Sequence, residues 1–488
     1  MSSLIYQVHD RPPFWKNIFF ALQQVMAIIT ATMLVPLLAD YTGVYLSQAA
    51  ALIGAGVGTI IYLLFTRFKS PVFLGSSFTF ILPISSAITF GYFGIFLGSL
   101  IAGLVYVGLA LLIKFVGSDW INKIMPPIII GPIVALIGFN LATSAVENLS
   151  SSSSGYNIVA ILVGIFTFFI TVLVAVKGNK SFKMFPFIVG IISGYCLALM
   201  LSVIGIWANV ETLKLIDFSV FAKVADFKNW IPNFTFIGMF SEGASKVTSF
   251  SDVLSIFIAF APVALVSFAE HIADHKNIST VIGNDLLKDP GLHRTLLGDG
   301  VGTIFGSFIG GCPTTTYGES IGCVAISKNA STRTILVASI MCIVIAFFYP
   351  IIVFIESIPT CVIGGICIAL YGFISVSGLR MMKNIDLMAT KNLFIVSSIF
   401  IVGIGGLEIT IGAVTIPSLA CALVVGILTN LILKDWKKKK PKEIVFEDAP
   451  PEDVAVIEEN KTETIEKPKE QEKEKINNQE NNNINTWY

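Results

Sequence analysis

The chain reads as an all-α polytopic membrane protein, and three observations carry that reading. Hydrophobic residues fill 54% of its 488 positions and charged ones only 13%, with a mean hydropathy of +0.80, far from the mixture of a water-soluble domain. The apolar residues fall into long runs close to the ~20 residues that one membrane crossing needs. Two of those runs also carry a carboxylate, Glu270 and Glu319. At bilayer depth an acidic side chain costs roughly 2.5 to 3.5 kcal/mol on insertion scales, so each needs a polar ligand, a proton or a partner to face.

Taken in order, the first half gives spans near 17–39, 44–66, 71–88, 90–115, 121–145, 156–177 and 184–207. The second half gives seven more, near 252–270, 294–310, 311–327, 333–355, 359–379, 392–407 and 412–433. Arg11 and Lys16 precede the first run, and no small-residue cleavage site follows a short apolar core, so that run is a retained helix and not a signal peptide.

Fourteen crossings put both termini on one side. Arg67 and Lys69, Lys114 and Lys123, the Lys177, Lys180 and Lys183 cluster, Lys276 with Lys288 and Arg294, Lys328 with Arg333, and Arg380 with Lys383 and Lys391 all fall on that same face. By the positive-inside rule it is cytoplasmic. Opposite loops, such as 40–43 and the Ser-rich run 150–154, carry almost no cations. After Leu433 four lysines (437–440) lead into a Glu, Lys and Asn rich stretch, 435–488, expected to be a disordered cytoplasmic tail.

The balance of 32 basic and 32 acidic residues offers no field for nucleic acid, and four His leave little for a metal site. Seven Cys (196, 312, 323, 342, 361, 367, 421) lie in apolar stretches without paired CxxC spacing, so they are small core residues. Neither a metal nor a cofactor is expected.

Two spans are poor helices. Residues 71–80 read Pro-Val-Phe-Leu-Gly-Ser-Ser-Phe-Thr-Phe and residues 311–320 read Gly-Cys-Pro-Thr-Thr-Thr-Tyr-Gly-Glu-Ser, each the third crossing of its half. Their backbone amides need partners, which short extended pieces pairing across a pseudo-twofold axis supply. Broken segments at matching places in two halves point to a midplane site in an inverted-repeat transporter. Ser76, Ser77, Thr314, Thr315, Thr316, Tyr317 and Glu319 all lie in or beside the breaks. Helices starting there aim free N–H groups into the same space. The plainer alternative is helix packing on Gly, Ser and Thr, which leaves Glu319 unexplained.

Glu270 closes the apolar run 259–269 and opens Glu270-His271-Ile272-Ala273-Asp274-His275. On a helix, 270, 271, 274 and 275 share one polar face. Glu270 is expected to be functional, whereas His271 and Asp274 read more readily as a helix end near the cytoplasm.

At these residues the chain resembles the nucleobase transporter family, also called nucleobase/ascorbate or nucleobase/cation symporter-2 proteins, and within it the bacterial uracil permeases. The similarity runs from about residue 10 to about 435, on Leu74-Gly75-Ser76-Ser77-Phe78, on Ala269-Glu270-His271 followed by His275, on Asp289-Pro290-Gly291-Leu292-His293-Arg294, and on Thr315-Thr316-Tyr317-Gly318-Glu319 leading to Ile321-Gly322. The resemblance implies fourteen segments as two inverted seven-segment repeats, with short antiparallel strands in segments 3 and 10. It further implies a cytoplasmic N-terminus (1–16), a core domain (17–117 and 252–355), a gate domain (118–207 and 356–434) and an extracytoplasmic connection (208–251).

By the same resemblance, residues matching Glu270 and Glu319 bind the base, backbone N–H groups at Phe78 and Gly318 help, residues matching His275 and Tyr371 support the site, and uptake is proton-coupled. Ser77 and Tyr317 join the expected substrate-binding set. The chemistry agrees: uracil alternates ring N–H donors with carbonyl acceptors, which carboxylates and helix-start amides complement. A carboxyl group shielded from water is also a natural proton carrier.

The implied function is a proton-coupled uracil symporter of the cell membrane working by alternating access, and not an enzyme; its partners are nucleobase, proton and lipid, and a second copy of the chain is compatible with this class. The alternative is a xanthine, urate or other purine permease of the same fold, many of which carry Gln at the position of Glu319. An anion transporter would want a cation in the breaks, and neither has one. No nucleophile and base pair accompanies the carboxylates as an enzyme requires. Gln24 stands where the family usually has His, Ser320 where it has Asn, Ser327 where it has Thr, and Asp274 where a small residue is common.

Overall fold

The computed structural model describes residues 4–40, 45–117, 119–150, 156–179, 182–184, 186–232, 238–239, 246–411 and 414–433. The chain divides near Lys439. The expected tail 435–488 lies outside the described residues, as do residues 151–154 of the Ser-rich run.

The first half starts with α1 (Phe14–Ala39) and α2 (Gln48–Phe65), whose N-cap Ser47 accepts from the Ala50 amide. The first broken segment is β1 (Leu74–Ser76), a 3-10 turn Phe78–Phe80 and α3 (Ile81–Ala87). Then come α4 (Gly91–Val116), α5 (Asp119–Ile124), α6 (Pro127–Asn140), α7 (Ala142–Ser150), α8 (Ile158–Lys177) and α9 (Pro186–Ala208). Short 3-10 turns, Phe218–Ala225 and Phe227–Trp230, occupy part of the connection that follows.

The second half opens with α10 (Phe250–Ile282) and α11 (Leu292–Phe308). The second broken segment is β2 (Thr314–Thr316) and α12 (Gly318–Ser327). It closes with α13 (Thr332–Ala346), α14 (Tyr349–Glu356), α15 (Thr360–Arg380), α16 (Thr390–Ile404), the strands β3 (Ile409–Ile411) and β4 (Val414–Ile416), and α17 (Ser418–Ile432).

By length and composition, eight of the described helical stretches could cross a membrane, or nine when α13 and α14 count as one bent span. The other expected crossings fall on shorter helices or on the broken segments. Large apolar side chains such as Leu162 and Phe169 on α8 and Met200 and Val203 on α9 face outward, as a lipid-facing surface requires.

The structure departs from the expected spans where proline or capping chemistry intervenes. The 121–145 span is broken at Met125-Pro126-Pro127, where two successive prolines remove donors and start a new helix at Pro127. The 333–355 span bends by 76° between α13 and α14, next to Pro350, which sits in the first turn of α14. The helix expected over 252–270 continues to Ile282. A capping box between Ser249 and Asp252 starts it, and left-handed Gly283 ends it. Residues 412–433 do not form one helix: β3 and β4 pair antiparallel, Ile409 with Ile416, as the alternating Ile-Thr-Ile and Val-Thr-Ile around a glycine permit.

In one set of contacts α2 packs on α11 and α13, α4 on α10 and α11, and α1 on α2, α12 and α13. In another, α15 packs on α6, α7 and α8, and α16 on α6 and α17. The α2–α11 contact is a backbone approach: a Cβ on Gly54 would lie 2.8 Å from the Gly306 carbonyl oxygen, and one on Gly306 2.9 Å from that of Gly54. Without a hydrophobic drive between helices in lipid, such close packing carries the association.

Candidate functional site

The two broken segments meet. β1 and β2 pair antiparallel in the register Leu74 with Thr316, Gly75 with Thr315 and Ser76 with Thr314, and the pairing is extended by Ser77 N–H to the Pro313 carbonyl (2.9 Å) and Tyr317 N–H to the Phe73 carbonyl (3.2 Å). Outer edges are satisfied by side chains. Thr59 of α2 accepts from the Leu74 amide at 2.9 Å, Thr303 of α11 donates to the Thr314 carbonyl at 2.8 Å, and Ser320 accepts from the Phe73 amide at 3.2 Å. Non-helical backbone is tolerated in an apolar surround only with such partners.

Tyr317 locks the pair. Its hydroxyl donates to the Ser76 carbonyl at 2.6 Å, and its ring lies so close over Gly75 that a Cβ there would come within 2.4 Å of it. With the strands paired, the helices beginning at Phe78 and Gly318 start side by side, and the first N–H groups of a helix have no partner within it.

Glu270 and Asp274 lie one turn apart on α10 and face these helix starts. The Thr79 hydroxyl donates to Glu270 Oε2 at 3.3 Å, and the Thr316 hydroxyl donates to Asp274 Oδ2 at 2.6 Å. A Cβ added to Gly318 would meet only Asp274 Oδ1, at 4.0 Å. Gly318 is exposed and Glu270 and Glu319 are half-exposed, although Thr316, Tyr317 and Ser320 beside them are buried. That pattern marks an opening onto which carboxylates and helix-start amides look. Among the described residues none of the three carboxylates belongs to a salt bridge.

Tyr371 of α15 reaches the same place: its ring meets that of Phe78 edge-on at 6.0 Å. Its hydroxyl, Ser77 Oγ and Ser76 Oγ are buried without a hydrogen-bond partner among the described residues, as is Gln24 Oε1 on α1, whose amide nitrogen donates to the Ser320 carbonyl at 3.4 Å. Buried polar atoms are nearly always paired, so those near the helix starts that are not invite a polar ligand.

His275 points elsewhere. Its Nδ1 bonds to the His271 carbonyl at 2.7 Å and its Nε2 to the Tyr62 hydroxyl at 2.6 Å, which continues to Ser70 at 2.7 Å. His271 and Asp274, read from the sequence as a helix end near the cytoplasm, are instead buried within α10, because the helix runs on for more than two further turns. Asp299 of α11, fully buried beside His271, was missed, and so were Thr79 and Tyr62. Like Glu270, Asp299 is a carboxylate in an otherwise apolar run, the signal by which the sequence reveals it. Among the described residues no group of three or more potential metal ligands is assembled. An apolar cavity of about 350 Å³ between α1, α9, α14 and α15 contains none of these polar groups.

Residues 15–411 match the permease family. The uracil permease of Bacillus caldolyticus is 38% identical over 438 residues, covering 89% of this chain and 95% of that protein. The uracil permease of Bacillus subtilis (strain 168) is 37% identical, covering 89% and 96%, and that of Escherichia coli (strain K12) is 32% identical, covering 90% and 96%. In fold, the chain is similar to the transmembrane domain of a cyanobacterium bicarbonate transporter, BicA, with a TM-score of 0.57 at 15% identity over 87% of this chain and 99% of that one. SLC26A9 gives 0.57 at 11% identity, over 85% and 64%. The chain belongs to the permease family and is a multi-pass membrane transporter, not an enzyme.

Proposed function

We propose that the chain imports uracil across the cell membrane by proton symport, with both termini in the cytoplasm. The observation that carries this reading is the juxtaposition of Glu270, Asp274 and Glu319 with the helix starts at Phe78 and Gly318. The carboxylates accept from the ring N–H groups of a pyrimidine, and the helix-start amides donate to its carbonyls. Charge-assisted bonds of this kind are worth about 1.5–3 kcal/mol each, enough for selective capture of a small planar ring. The names of the relatives at 32 to 38% identity support the same substrate.

The substrate lies between a core domain (α1 to α4 and α10 to α14) and a gate domain (α5 to α9 and α15 to α17), and relative movement of the two gives alternating access. Tyr371 is the gate's contribution to the site, and its contact with Phe78 is one of the places where the two meet. A carboxyl group of the site takes up the coupled proton on the outside and releases it inside. Competition for uptake of radiolabelled uracil tests the substrate: unlabelled uracil should compete fully and xanthine and urate weakly. Stronger competition by xanthine would transfer the assignment to purines.

A further inference from the structure

The apolar cavity between α1, α9, α14 and α15 has no part in the site of Glu270 and Glu319, and one face of α1 sets its shape. Leu22, Met26, Ile29, Met33 and Leu37 line it, at the spacing of a single helical stripe. At 1.5 Å per residue that stripe runs for about 22 Å. The opposite face of the helix, with Ile28, Ala31 and Val35, is buried, and α1 packs on α2, α12 and α13. Across the cavity the facing wall is built from the first two turns of α9 and α15 and from α14, with Ile191, Ile363 and Phe354. Thr30 carries the only polar side-chain group among the described residues that line it, so water finds too few partners to stay there. A base with ring N–H groups and carbonyls lacks partners there for the same reason.

The mouth of the cavity says what fills it. Leu22 on α1 and Ile192 on α9 line it and are also 39% and 49% exposed, so the cavity is continuous with the outer surface of a multi-pass membrane protein, where the neighbouring molecules are lipids. Deeper in, Met33 and Leu34 are only 1% and 6% exposed. Met33 lies about 16 Å along the axis from Leu22, close to the ~15 Å that one leaflet contributes to a ~30 Å hydrocarbon core. We propose that the acyl chain of one bilayer phospholipid enters between α1 and α9 and occupies this groove, as a deformable filler between the core and gate domains. Lipid tails are as apolar as these walls, so the chain is held by the van der Waals contacts that an empty groove would forfeit. In the transport reading α1 belongs to the core and α9 and α15 to the gate, so the two walls move relative to one another. A chain with many rotatable bonds follows that movement, whereas a bulky side chain anchored on one wall and packed against the other resists it.

Photolabelling tests the lipid without any transported substrate. Wild-type protein in proteoliposomes is irradiated with a phospholipid carrying a diazirine near the end of its sn-2 chain, and the labelled residues are mapped by mass spectrometry. Labels on Met33 and Leu34 are expected, in addition to those on outward residues such as Leu162 and Phe169 of α8. Labels confined to the outward residues would overturn the proposal, and so would labelling of Met33 by a diazirine fatty acid but not by the phospholipid. Ile29→Trp and, from the facing wall, Ile191→Trp fill the groove, and each should lose the Met33 label while the α8 labels remain. An undiminished Met33 label in both folded variants would place the chain elsewhere, and should neither variant fold, the wild-type map decides alone. Only the role at a moving interface rests on the uracil reading. With the groove filled, the maximal rate of uptake should fall at least about fivefold while the Kd for uracil is unchanged. Wild-type uptake in a variant that has lost the label would overturn that role, and a wild type that moves no nucleobase would sink the transport reading and leave the labelling to decide the lipid site.

Discussion

The Thr316 hydroxyl donates to Asp274 Oδ2 at 2.6 Å, joining the C-terminal third of α10 to the strand β2. Through this one bond the carboxylate is held beside Gly318, the residue at which α12 begins. Thr79 does the same for Glu270 from the first broken segment. Each half of the molecule thus supplies a threonine that orients a carboxylate of α10.

Removing the Thr316 hydroxyl leaves a buried carboxylate oxygen short of a partner. Thr316→Val should weaken uracil binding by about tenfold to a hundredfold, since a bond to a charged group is worth about 1.5–3 kcal/mol. Thr316→Ser should restore most of it. Titration calorimetry on the purified variants reads both, and wild-type affinity in the Val variant would remove Asp274 from the site.

Gly75 has no room for a side chain under Tyr317. In Gly75→Ala the methyl group would overlap the ring at 2.4 Å, forcing the paired strands apart in a close-packed interior, at a cost of about 1–3 kcal/mol or more. Lower melting temperature and lost uptake are expected together. Gly108→Ala on α4, where an added Cβ meets nothing within 4 Å, should leave both unchanged. Equal effects of the two substitutions would show that the strand pair does not depend on this contact.

Tyr371→Phe separates binding from folding. Its hydroxyl has only the weak Cys367 thiol beside it among the described residues, so removing it should lower the melting temperature little. If the hydroxyl meets the substrate, affinity should fall by about fivefold to tenfold, the worth of one neutral hydrogen bond of ~1 kcal/mol. Unchanged affinity would confine Tyr371 to its ring contact with Phe78.

Proton coupling is read in proteoliposomes. With an imposed inward proton gradient, uracil should accumulate above its equilibrium level, and collapse of the gradient by an ionophore should abolish accumulation. Uptake indifferent to both gradient and voltage would leave a facilitator in place of a symporter.

Much of the site was legible in the sequence because its signals are local. Glu270 and Glu319 stand out as charges in apolar runs, and the Pro, Gly, Ser and Thr of 71–80 and 311–320 announce broken helices. What escaped depends on distant neighbours. Nothing within Glu270 to His275 tells that Asp274 meets Thr316, 42 residues on, or that His275 turns to Tyr62, 213 residues back. α10 runs beyond the expected 252–270 because the polar residues after Glu270, which in sequence resemble a helix end, find buried partners on α2, α11 and β2. Asp299 was visible and passed over among the glycines around it, and the 409–416 hairpin was hidden inside a run apolar enough for a helix.

The central claim is that Glu270 and Glu319 face the substrate. Uptake of radiolabelled uracil by wild type, Glu270→Gln and Glu319→Gln, reconstituted at equal protein density, tests it most directly. The account predicts transport by the wild type and a loss of about tenfold to a hundredfold or more in each variant, the size expected when a charged hydrogen-bond partner is removed, with folded protein still in the membrane. Wild-type uptake in both variants would contradict it.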